Sequence, residues 1–110
     1  MEIKERVQEG IKIVELKGSL DGEGAKKLDG RLKELFAFES RLLVNCKNLE
    51  YISSLGIRSI MTASRILHNR FVLCELLDRV RDVFEVSGLM RHLPMYASER
   101  EALEALKKFP

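Results

Sequence analysis

Tyr51-Ile52-Ser53-Ser54-Leu55-Gly56-Ile57-Arg58 is the stretch that decides how this chain folds. It opens as extended chain at Tyr51-Ile52. From Ser54 onward Ile57, Ile60, Met61, Ser64 and Leu67 recur at helical spacing and share one face. Two serines therefore stand where extended chain enters a helix. A helix N-terminus carries unpaired N–H groups and the positive end of the helix dipole. A phosphoserine there adds about −1.5 to −2 charges, which the helix accepts without melting. Gly56 removes a side chain beside the serines, so a partner's backbone is expected to approach closely there. From local chemistry two readings stay open: Ser53 or Ser54 as a phosphate switch, or one of them as a plain N-cap, the commoner use of serine.

Working outward, the flanking segments alternate. Ile3 and Val7 lie among polar residues, Glu9-Gly10 makes a turn, and Ile11, Ile13, Val14 and Leu16 form a stronger strand, so the N-terminus reads as a hairpin ended by Gly18. Asp21 suits the N-cap of a helix over 23–36, whose Ala25, Leu28, Leu32, Leu35 and Phe36 form an apolar stripe. Lys26, Lys27, Arg31 and Lys33 occupy its other faces and read as a solvated surface. Residues 41–46 form a short strand whose apolar Leu42-Leu43-Val44 suits a centre covered on both sides, and residues 47–53 read largely as a polar connection. Beyond the serine junction come a strand over 71–76 and a helix over 78–87 stopped by Gly88. A short strand over 92–96, broken by Pro94, belongs at an edge. Ser98 with Glu101 opens a last helix bearing Ala102, Leu103, Leu106 and Phe109. The order β-β-α-β-α-β-α-β-α predicts one α/β domain over 1–110, with an N-terminal hairpin, a mostly parallel central sheet and about four helices.

Composition narrows the function. With 110 residues, 45% hydrophobic and 33% charged, the chain fits one globular domain. Its 19 basic and 17 acidic residues leave a net charge of +2, too even for a nucleic-acid tract. No apolar run approaches the roughly 20 residues that cross a bilayer. The charged residues 1–8 do not resemble a signal peptide, so a cytoplasmic protein without membrane contact is expected. Cys46 and Cys74 read as small buried hydrophobes. His68 and His92 lack metal-ligand spacing, and Gly22-Glu23-Gly24 reads as a turn because Lys27 occupies the third glycine position of a dinucleotide loop. No nucleophile–His–acid set emerges. The expectation is a protein without catalytic residues, metal or cofactor.

The junction also resembles the signature of STAS domains of the anti-sigma factor antagonist family, Asp-Ser-(Ser/Ala)-Gly-Leu at the start of the second helix. Here it reads Ser53-Ser54-Leu55-Gly56-Ile57. Gly18-Ser19-Leu20-Asp21, Arg41 to Cys46 with Asn48 to Ile52, Phe84 to Leu89, and Ser98 to Leu103 are similar to further family segments, so the resemblance covers nearly the whole chain. It implies Ser54 as phosphoacceptor, with Ser53 as fallback. It also implies a partner surface of Asp21, Ser53, Ser54, Leu55, Gly56 and Arg58. The implied partners are an anti-sigma factor serine kinase, bound when Ser54 is unmodified, and a metal-dependent serine phosphatase, with a monomer as the expected state. Two positions depart from the pattern: Ser53 stands in place of Asp, and Asn45 stands where Asp is frequent, both lowering negative charge near the acceptor. Alternatives are a STAS module in a stress-signalling assembly or lipid-transporter complex, and a small enzyme or nucleotide-binding protein of flavodoxin-like shape.

Overall fold

Near-continuous apolar runs in the central strands, Leu42-Leu43-Val44 and Phe71-Val72-Leu73, dictate a sheet buried on both faces. In the computed structural model, which describes residues 1–110 except the side chains of residues 89 and 90, five strands form it: β1 (Glu2–Gln8), β2 (Ile11–Leu20), β3 (Leu42–Ile52), β4 (Phe71–Cys74) and β5 (Met95–Tyr96). They lie in the order β1-β2-β3-β4-β5, the first pair antiparallel and the rest parallel. Four helices connect and cover them: α1 (Gly22–Phe36), α2 (Ser54–Leu67), α3 (Asp78–Val86) and α4 (Glu99–Leu106). The expected fold class and element order hold, with short 3-10 turns added at His68–Arg70 and Leu89–His92.

Side chains from one face of the sheet, among them Val14, Leu16, Leu42, Val44 and Leu73, pack with α1, α2 and α3. Side chains from the other face, Ile11, Ile13, Leu43, Val72 and Cys74, pack under Ala102, Leu103 and Leu106 of α4. Burial on both sides accounts for the unbroken Leu42-Leu43-Val44 run. Cys46 belongs to the first cluster and Cys74 to the second, so neighbouring strands send their thiols to opposite faces, and both are free. Burial pushes the Cys46 thiol far up, and burial with the nearby Glu75 and Glu99 pushes Cys74 up to about 12.

The hairpin turns on Glu9 (φ 54) and Gly10 (φ 80), two consecutive left-handed residues of the kind a tight two-residue hairpin requires. Two strands outrun their sequence reading. β2 does not stop at Gly18, which takes φ 104 where the β2–β3 register shifts, and the strand continues to Leu20. Residues 47–52 are strand and not connection, because β3 follows that extension to the pair Leu20↔Ile52. Conversely β4 stops at Cys74, where Glu75 turns left-handed (φ 57).

Two helical glycines give opposite expectations. A Cβ on Gly56 would lie 2.6 Å from the Leu20 carbonyl oxygen and 2.7 Å from Leu20 Cγ, whereas one on Gly30 would meet nothing within 4 Å. Gly56→Ala is expected to destabilise by about 1–3 kcal/mol through overpacking. Gly30→Ala is expected to stabilise by about 0.4–1 kcal/mol. Urea unfolding of the two variants measures both.

Candidate functional site

β2 and β3 end side by side, and each runs directly into a helix, so two helix N-termini meet at one end of the sheet. Asp21 caps α1, its Oδ1 accepting from the Gly24 N–H at 2.9 Å. Ser53 caps α2, its Oγ accepting from the Gly56 N–H at 3.2 Å. The same hydroxyl donates to the Leu20 carbonyl at 3.1 Å, and the Ser53 N–H donates to that carbonyl at 2.9 Å. Ser53 is thus tied at donor and acceptor alike.

Ser54 differs. It is the first residue of α2, it is exposed, and its hydroxyl has no hydrogen-bond partner among the described residues. Leu55, 48% exposed, projects beside it, and the exposed Arg58 follows one turn later. The first turn of α2 holds no acidic residue. The junction therefore offers an accessible serine hydroxyl at a helix N-terminus, with Arg58 one turn on and no carboxylate on that first turn.

Of the residues expected at a partner surface, the structure brings Asp21, Ser53, Ser54, Leu55 and Arg58 to this end of the sheet. Gly56 is there too, but buried. The expectation that its missing side chain makes room for a partner is corrected: the space is filled by Leu20 from within the chain. The same holds for Gly24, where a Cβ would lie 2.8 Å from the Ser19 carbonyl. The Gly22-Glu23-Gly24 segment is the first turn of α1.

Asn45 is also relocated. Its side chain lies on the α4 side of the sheet, donating to Glu99 Oε1 at 3.0 Å and Glu75 Oε2 at 3.4 Å, and accepting from the Lys47 N–H at 3.0 Å. Seven residue steps along β3, about 23 Å, separate it from Ile52. Asn45 therefore does not set the charge beside Ser54. It belongs to a network no local motif announces, in which Arg6 of β1 pairs with Glu15 and Glu99, and Glu75 accepts from the Glu99 N–H.

Cys74, Glu75 and Glu99 hold ligand atoms within 4.8 Å of one another. Both carboxylates already have partners in this network, and the buried thiol resists ionisation, so the group reads as structural. His68 and His92, distant in sequence, line one concavity with Arg65 and Arg91 near the end of α2.

A family model for the STAS domain matches residues 2–102. The chain belongs to the STAS domain family. BtrV of Bordetella bronchiseptica, described as a candidate anti-sigma factor antagonist, is 35% identical over 104 residues, 91% of this chain and 89% of BtrV. The solved structure of the anti-sigma factor antagonist SpoIIAA in its unphosphorylated form matches with a TM-score of 0.80 and 23% identity, over 99% of each chain. The phosphorylated form of Bacillus SpoIIAA matches with a TM-score of 0.70 and 22% identity, over 94% of this chain and 97% of that one. No helix among the described residues is long and apolar enough to cross a membrane.

The α4 network makes stability acid-sensitive. Burial works to raise the Glu99 pKa, but hydrogen bonds from Asn45 and Arg6 outweigh it and hold the carboxyl below its ordinary 4.5. A depressed carboxylate contributes stability that is full above its unfolded pKa and lost as pH falls through the folded one. Glu99→Gln is expected to cost about 1 kcal/mol at neutral pH. It should also flatten the loss of stability below pH 4.5, as read by urea unfolding across the acid range.

Proposed function

We propose that this chain is an anti-sigma factor antagonist whose partner binding is switched by phosphorylation of Ser54. The observation that carries the reading is the division between the two serines. Ser53 is consumed in holding α2 to the sheet. Ser54, next to it, is exposed, and its hydroxyl has no hydrogen-bond partner among the described residues. That separation lets a phosphate arrive without dismantling a cap. The helix dipole favours the new charge by about 0.3–1 kcal/mol, and Arg58 stands four residues on, on the same side of the helix. Phosphorylation is then read at the surface and not in the fold.

Membership of the STAS family, likeness to BtrV and the existence of SpoIIAA in both phosphorylation states support this assignment. The unmodified protein binds an anti-sigma factor serine kinase through the exposed residues around Ser54, freeing a sigma factor. Phosphate at Ser54 releases the complex, and a metal-dependent serine phosphatase resets it. The energetic demand is small, since each tenfold loss of affinity needs about 1.4 kcal/mol. A dianion that must be desolvated in a close interface meets that demand. The role is one of binding, with no catalytic step on this chain.

Incubation with ATP and each anti-sigma-factor-like kinase from the same cell, followed by intact-mass and peptide mapping, tests the proposal. One phosphate on Ser54 is expected. Ser54→Ala should bind without being modified, and Ser54→Asp should bind at least about tenfold more weakly. A phosphate mapped elsewhere, or none from any kinase, would contradict it.

A further inference from the structure

We infer that the groove between α1 and α2 docks an acidic amphipathic helix of the protein partner. Its floor is made of small residues, Gly22, Ala25, Ser59 and Ala63, which leave a trough of about 520 Å³. The buried Leu32 lies beneath it, and its walls are apolar: Phe36, Leu55 and Ile66. Leu55 and Ile66 are 48% and 51% exposed, so two large aliphatic side chains face water along a single track. On α2 the track runs through Leu55, Ser59, Thr62 and Ile66, which is helical spacing along one face. The helices that form it have 15 and 14 residues, about 20 Å, the length of a three- to four-turn helix.

Charge on the rim selects the occupant. Lys26, Lys33 and Arg58 border the groove against one carboxylate, Asp29. These three cations form no ion pair among the described residues, whereas other cations of α1 are engaged: Arg31 with Glu5 and Glu34, and Lys27 with the Met1 carbonyl. An apolar trough with uncommitted cations on both sides fits a helix bearing an apolar stripe flanked by Asp or Glu.

The groove begins at the switch. Leu55 and Arg58 belong both to its lining and to the surroundings of Ser54. This part rests on the reading of Ser54 as phosphoacceptor. A phosphate there competes with the partner's carboxylates for Arg58 and repels them, which explains how one modification at the mouth clears a groove that reaches Ile66, about 18 Å along α2.

The test titrates isotopically labelled, unmodified protein with a synthetic amphipathic helical peptide carrying a leucine stripe flanked by glutamates, and with its lysine-for-glutamate counterpart. Backbone NMR shifts are followed. The glutamate peptide is expected to move resonances along both walls of the groove, and to bind at least about tenfold more tightly than the lysine peptide. A Lys33→Glu/Arg58→Glu variant, with its fold checked by circular dichroism, should reverse that preference. The inference is overturned if groove resonances stay still, if both peptides bind alike, or if dilution alone moves them, which would make a second copy the occupant. The titration needs no kinase. A failure of Ser54 phosphorylation therefore leaves its outcome intact, and a failed titration leaves the phosphoacceptor reading standing.

Discussion

The Leu20 carbonyl holds the candidate functional end of this molecule together. It accepts both the peptide N–H and the hydroxyl of Ser53, so the last residue of β2 fixes the first cap of α2. Gly56 completes the joint by presenting no side chain to Leu20 while giving its N–H to Ser53 Oγ. Backbone, cap and packing thus act at one point. From that point α2 leaves the sheet in a set direction, α1 starts alongside it at Asp21, and the two enclose the apolar groove. Ser54 faces outward because its neighbour is bound inward.

A joint of this kind suits the proposed switch, which another protein would read. Were Ser54 itself the cap, a phosphate would disturb the first turn of α2 and blur a surface signal into local unfolding. With the cap delegated to Ser53, the proposed phosphate would be added next to a preformed helix N-terminus and Arg58 without breaking the cap. The remainder of the chain serves this geometry. α4 seals the opposite face of the sheet through Ala102, Leu103 and Leu106, and Arg6 and Asn45 tie its first turn to the strands through Glu99.

Much of this was legible in the residue pattern. Element order, the hairpin at Glu9-Gly10 and the caps at Asp21 and Ser98 follow from period, turn chemistry and side-chain acceptors. The ends of β2 and β3 were not legible. Register shifts beside Gly18 leave Leu49 and Ile52 as the buried positions of the extension, three residues apart, and this disguises a strand. Gly56 was recognisable as important, but the tight contact that explains it comes from a residue 36 positions earlier. Asn45 showed the limit of reasoning along the chain. A strand alternates its faces, and only the placement of α4 reveals that Asn45 looks toward Glu99. The Arg6–Glu99 pair, 93 residues apart, has no local signal at all.

The division of labour between Ser53 and Ser54 is the central claim, and equilibrium urea unfolding of Ser53→Ala and Ser54→Ala tests it most directly. Ser53→Ala should lose about 1 kcal/mol, the cost of a helix N-cap, while Ser54→Ala should stay within about 0.5 kcal/mol of the unsubstituted protein. Equal losses, or a larger loss at Ser54, would mean that the exposed hydroxyl is structural and would contradict the account.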